Sequence, residues 1–144
     1  MAEFIRVPTE IVRGDCVAVN DLTPEQAVFI EPLACCAKAM RRINRIVQLA
    51  GSSGAIIGCG IMGMLNLLAA RAFRAADVIA VELESSRRAA ALRHGFTSAL
   101  APEEADRSLL GTADFVVIGP GHPDVIQQGL KYVRPGGAVC LFTP

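Results

Sequence analysis

Large aromatic rings are scarce in this chain of 144 residues, which has no Trp, one Tyr and six Phe. A core built without them must be aliphatic. With 52% of residues hydrophobic, that is the interior a parallel sheet buries on both faces. Excess charge of one sign is also missing. Fourteen basic and fourteen acidic residues cancel, which removes any global field for recruiting nucleic acid or an anionic membrane. No apolar run is long enough to span a bilayer, and the N-terminus has no signal-peptide pattern, so a cytoplasmic location is expected. Histidine is limited to His94 and His122. The five cysteines (Cys16, Cys35, Cys36, Cys59, Cys140) form no C-x-x-C pair, and their odd number argues against a disulfide framework. Cys59 and Cys140 lie in apolar sequence and read as small core residues. The length fits one domain.

What is present begins with Ala55–Gly63, an apolar run that ends in Gly58-x-Gly60-x-x-Gly63 and opens a helical stretch. Glu82 closes the next apolar run, 19 positions beyond Gly63. Strand, glycine turn, helix and acid in this order form the fingerprint of a dinucleotide-binding βαβ unit. Gly58 allows the tight turn, Gly60 leaves the backbone open to a pyrophosphate, and Gly63 lets helix and strand pack closely. The helix start offers free N–H groups and the positive end of its dipole to an anion. Glu82 is placed to accept from the adenosine ribose hydroxyls. An acid there repels a 2′-phosphate and favours NAD over NADP, although Arg87 and Arg88 nearby could accommodate such a phosphate.

The pattern along the chain supports this. Residues 1–22 hold short apolar fragments broken by Pro8 and Gly14-Asp15, and read as extended segments and turns. Thr23-Pro24-Glu25-Gln26 starts a short helix that should stop before Pro32. A second helix is expected over 32–46. From residue 53 strands and helices alternate: strands at 55–57, 77–81, 97–100, 114–118 and 138–142, and helices at 61–73, 85–94, 102–110 and 123–133. Leu65, Leu68 and Ala69 are expected on the buried face of the first of these helices. Ser85 should cap the next, and Gly95 should stop it. Pro135-Gly136-Gly137 supplies the turn before the last strand. Alternation of this kind predicts an α/β fold, a Rossmann-type doubly wound parallel sheet of order 3-2-1-4-5. The domains are read as 1–46, an N-terminal segment with linking helices, and 47–144, the dinucleotide-binding domain.

Ile30–Met40 (I-E-P-L-A-C-C-A-K-A-M), Gly58–Gly63, Val81-Glu82-Leu83 with Arg87, Asp114–Ile118 with Gly121-His122-Pro123, and Val133–Gly137 together resemble the medium-chain dehydrogenase/reductases. Within them, the zinc-dependent alcohol, sorbitol and threonine dehydrogenases are the nearest branch in pattern. The resemblance covers nearly the whole chain. It implies that Gly58, Gly60 and Gly63 shape the pyrophosphate loop, with the Ile61 and Met62 amides facing the phosphates. Glu82 and Arg87 would then lie at the adenosine ribose, and Pro120 and Thr143 would border the nicotinamide. Glu31 falls where the family places a zinc ligand or a carboxylate near the metal.

Departures from the family pattern set further expectations. No zinc-ligating Cys and His precede Phe4, and the family's final cofactor-sheet strand would lie beyond Pro144. The chain therefore reads as the cofactor domain of a longer dehydrogenase, with zinc held in the missing catalytic domain and with little activity alone. Cys35 and Cys36 point about 100° apart on a helix, so they do not suit one tetrahedral metal. Arg41, Arg42 and Arg45, and the pair Arg87-Arg88, lack aromatic neighbours for base stacking and read as solvated faces. Expected partners are a dinucleotide, a small alcohol in the parent enzyme and a second copy of the chain, with no nucleic acid or membrane. Two rival functions share the glycine loop: an S-adenosylmethionine-dependent methyltransferase and a stand-alone nucleotide-binding module.

Overall fold

The computed structural model describes residues 4–143; the first three residues of the expected N-terminal segment, and Pro144, lie outside them. Two compact units are distinguished, one ending at Ile30 and the other beginning at Glu31. In the first, α1 (Thr9–Gly14) replaces part of the expected extended segment. Glu10 in its first turn and Arg13 in its last complement the helix dipole, a local signal that the short apolar fragments masked. The short helix α2 (Pro24–Ala27) has the expected Thr23 cap, completed into a capping box by Gln26. Neither helix contains a buried residue.

The helix expected over 32–46 is α3 (Ile30–Ile43). It starts two residues early because Pro32 falls in its first turn, where a missing N–H breaks no helical bond. Cys36, Ala39, Met40 and Ile43 make its buried stripe. Then come β1 (Ser53–Ile57), α4 (Ile61–Ala72), β2 (Asp77–Val81), α5 (Ser85–His94), β3 (Ser98–Leu100), α6 (Pro102–Ser108), β4 (Ala113–Ile118), α7 (Pro123–Tyr132) and β5 (Val133–Leu141). The sheet is parallel throughout, in the order β3-β2-β1-β4-β5. The predicted fold is therefore the observed one.

Alternation along the strands divides the core in two. Ile56, Phe115 and Val117 pack on one face with Met40, Leu65, Leu67 and Ala91. Ala55, Ile57, Val116 and Ile118 pack on the other with Ala105, Leu109 and Tyr132. Helices α3, α4 and α5 thus cover one face, and α6 and α7 the other. Gly54 makes room for a large ring: a Cβ there would sit inside the Phe115 side chain, its partner across the β1–β4 ladder. On the far face the fully buried Tyr132 donates to Asp106 at 2.8 Å, and Gln128 donates to the other oxygen at 2.8 Å, tying α7 to α6.

Other expectations change in detail. Leu68 is 52% exposed rather than buried, and Leu67 takes its place at 1%. Leu65 and Ala69 are buried as expected, and the buried face extends through Asn66, Leu67 and Ala70 and not toward Leu68. Ser85 is the first helical residue and Glu84 precedes it at the cap, with no side-chain cap bond. The last strand begins at Val133: Ala113 pairs with Val133 and Phe115 with Ala138, so Pro135-Gly136-Gly137 bulges out within the ladder.

Candidate functional site

The carboxyl ends of β1 and β4 diverge where the strand order reverses, which is where an open α/β sheet leaves a crevice. Gly58 leaves β1 with φ +87°, a left-handed turn that favours glycine. Two residues on, Gly60 precedes α4. A Cβ on Gly60 would meet nothing within 4 Å, whereas one on Gly63 would overlap the Gly58 carbonyl oxygen. Gly63 therefore serves helix–strand packing, and Gly60 keeps open space above the loop. Among the described residues no acceptor takes the N–H groups of Gly60, Ile61, Met62 or Gly63. These are the unsatisfied donors of a helix start, and they carry its partial positive charge.

Gly58, Gly60, Ile61, Met62 and Gly63 line one cleft of about 580 Å³ together with Arg87, Pro120, Gly119 and Phe142. Seven of the nine residues expected at a site are thus brought together. Glu82 lies beneath the loop, 7% exposed. Its Oε2 accepts the Cys59 N–H at 2.8 Å and its Oε1 accepts the Glu84 N–H at 3.0 Å, so the carboxylate braces the loop against the β2–α5 turn. One hydrogen bond per oxygen leaves each a further acceptor position. Thr143 lines an adjoining cavity of about 630 Å³ with Glu31, Pro32, Cys35 and Leu141; Met62 and Phe142 line both cavities. The Thr143 side chain also lies against Gly121, next to Pro120.

Several residues here were not expected. Gly119 and Phe142 follow β4 and β5, and the rule that ligands sit at strand carboxyl ends could have found them. The arginines divide: the Arg88 Nη1 donates to the Glu82 and Leu83 carbonyls at 2.9 and 2.6 Å, while Arg87 faces the cleft. No sequence signal separates them. The Cys59 side chain is turned into the core, where burial pushes its thiol up to about 12.

A metal fits less well. Cys35 donates its S–H to the Glu31 Oε1 at 3.3 Å, and this hydrogen bond holds the thiol above its ordinary pKa. That is two donors where a zinc site needs three or four. Among the described residues no group of three or more His, Cys, Asp and Glu is gathered as a metal requires. His94 is exposed at a helix end, and His122 caps α7 by accepting the Asp124 N–H at 3.4 Å. No helix of the described residues is long and apolar enough to cross a membrane.

The fold is a Rossmann-type α/β domain of the kind dehydrogenases carry, with its cleft at the carboxyl ends of β1 and β4. A sequence model of the family described as zinc-binding dehydrogenase matches residues 60–143, and the chain belongs to that family. L-threonine 3-dehydrogenase of Bacillus velezensis is 34% identical over 149 residues, an alignment spanning 99% of this chain and 41% of the relative. Among solved structures, a zinc-binding dehydrogenase of Sinorhizobium meliloti 1021 bound to NADP superposes with a TM-score of 0.75 at 28% identity, covering 84% of this chain and 37% of that one. An alcohol dehydrogenase from Thermus sp. ATN1 gives 0.76 at 25% identity, covering 88% and 38%. The chain thus spans about two fifths of the length of the curated relatives it matches. These relatives favour the dehydrogenase reading over the methyl-transfer alternative.

Proposed function

We propose that this chain is the dinucleotide-binding domain of a zinc-type alcohol or polyol dehydrogenase, and that it prefers NAD(H) to NADP(H). The observation that carries the reading is the row of four free N–H groups, Gly60 to Gly63, opening on a cleft with Glu82 braced below it. Those donors and the α4 dipole suit a pyrophosphate. Glu82 suits a ribose with both hydroxyls free, because its remaining acceptor positions need donors and a 2′-phosphate supplies none. Arg87, on α5 just beyond Glu82, would meet the phosphate or ribose. Pro120 and Thr143, with the apolar wall of Phe142 and Leu141, would border the nicotinamide, which when bound supplies the hydride acceptor. On this reading residues 47–144 form the cofactor domain and residues 1–46 lead into it from the rest of a larger enzyme. The chain binds and orients the cofactor. Its own Glu31 and Cys35 fall short of a zinc site, so no metal step is assigned to them. The alcohol would be held elsewhere in the parent enzyme, and the isolated chain would turn over little or none.

The test is a titration of the purified chain with NADH, NADPH and S-adenosylmethionine, followed by calorimetry or nicotinamide fluorescence. Preferred NADH binding is expected. Glu82→Ala should lose most of the NADH-over-NADPH preference and also some NADH affinity, because it releases the Cys59 N–H. Tight S-adenosylmethionine binding without NADH binding would overturn the proposal.

A further inference from the structure

Helix α5 begins against the electrostatic rules. Its first turn holds no acid, its Glu84 cap makes no side-chain bond, and two arginines stand where the positive end of the dipole disfavours cations. Local rules broken in this way concentrate where a site demands it. The two arginines have different environments. Arg87 is exposed, lines the cleft, and has no hydrogen bond among the described residues. Arg88 is half-buried, and its Nη1 donates to two consecutive carbonyls, Glu82 at 2.9 Å and Leu83 at 2.6 Å.

Two consecutive carbonyls converging on one nitrogen fix the direction of the chain as it leaves β2. The Glu82 carboxylate continues the connection, linking the Glu84 N–H to the Cys59 N–H of the glycine loop. Helix, turn and loop are therefore joined through Glu82. We propose that Arg88 is a positioning residue for dinucleotide discrimination: by holding the Glu82 and Leu83 carbonyls it keeps the Glu82 carboxylate facing the ligand ribose. This rests on the dinucleotide reading above. With the turn held, a 2′-phosphate meets a fixed carboxylate that it cannot displace. With the turn free, Glu82 can rotate aside and Arg87 can pair with the phosphate.

The experiment is a calorimetric titration of NADH and NADPH into the wild-type chain, Arg88→Met and Arg88→Lys, with melting curves for each. Arg88→Met should weaken NADH about 10-fold, as expected for loss of charge-assisted hydrogen bonds, while NADPH binds as well as or more tightly than to the wild type because the freed turn admits its phosphate. Arg88→Lys should keep most of the preference, because an ammonium can donate to both carbonyls. Equal loss for both nucleotides, or an unchanged ratio, would mean a structural role alone and overturn the proposal. Loss confined to NADPH would make Arg88 a phosphate contact and overturn it too. Should Arg88→Met melt below the assay temperature, Arg88→Gln, which removes the charge and shortens the side chain, applies the same ratio test. Wild-type binding without preference overturns this inference and leaves dinucleotide binding standing; wild-type binding of neither nucleotide overturns both.

Discussion

The β1–β2 side of the cleft presents main-chain N–H donors, from Gly60 to Gly63, with the buried Glu82 beneath them. The β4–β5 side presents side chains, chiefly Pro120, Phe142 and Thr143. The first side offers hydrogen-bonding groups through a backbone shape that a few glycines dictate. The second offers an apolar wall whose make-up many residue combinations could supply. One flank is therefore written in a spaced motif and the other is not. The same contrast separates the glycines, since Gly63 faces protein and Gly60 faces open space.

Changes that test the contrast can be ordered by size. The largest effect is expected on the packed side of the loop: Gly63→Ala forces a methyl onto the Gly58 carbonyl and should cost about 3 kcal/mol, read by urea denaturation. A Gly63→Ala chain as stable as the wild type would show that the close packing of α4 on β1 is wrongly assigned. Gly58→Ala should cost about 1–2 kcal/mol, from its φ of +87° and from a new contact 3.1 Å from the Pro120 Cδ. This substitution presses the β1 loop directly onto the other flank.

Away from the cleft, Asp114 supplies a smaller effect that depends on pH. It accepts the Ser53 N–H at 2.8 Å and pairs with the Arg134 Nε at 2.6 Å. The Ser53 hydrogen bond first, and then Arg134, hold its carboxyl below the ordinary range. A lowered folded pKa means that its stabilisation is present above the unfolded value near pH 4 and is lost as pH falls through the folded value. Because Arg134 is 41% exposed, the contribution should stay below about 1 kcal/mol. Asp114→Asn should thus lower the melting temperature at pH 7 and narrow its fall between pH 4 and 2; parallel acid limbs for the two proteins would refute this. The smallest effect is chemical. Cys16 and Cys35 are exposed, whereas burial pushes the Cys36 thiol up to about 11 and that of Cys59 to about 12. Maleimide at pH 7 should label the exposed pair and leave Cys36 and Cys59 intact by mass spectrometry, and early labelling of Cys59 would contradict its inward placement.

The contrast also explains what could be read from the sequence. Strand order, the Gly58 turn into α4 and the place of Glu82 just past β2 were legible because each depends on a backbone constraint or a strict period; the Glu82 bond to the Cys59 N–H was not. The start of α3 at Ile30 is not legible, because Pro32 signals a helix boundary yet a proline in a first turn breaks no hydrogen bond. The burial of Leu67 and not Leu68 beside Leu65 and Ala69 depends on which side of α4 meets its neighbours, a tertiary arrangement with no local signal. The different tasks of Arg87 and Arg88 were illegible for the same reason. Both lie in the first turn of α5, and only the course of the chain between β2 and α5 decides which side chain folds back on the carbonyls.

The most direct test of the account pairs binding with stability in Gly60→Ala. Its added methyl meets no protein atom, so the melting temperature should stay within about 2 °C of the wild type. The methyl occupies the space above the free N–H groups, so NADH affinity should fall about 100-fold, equivalent to roughly 2.7 kcal/mol. A Gly60→Ala chain that melts like the wild type and still binds NADH as tightly would contradict the placement of the pyrophosphate on this loop.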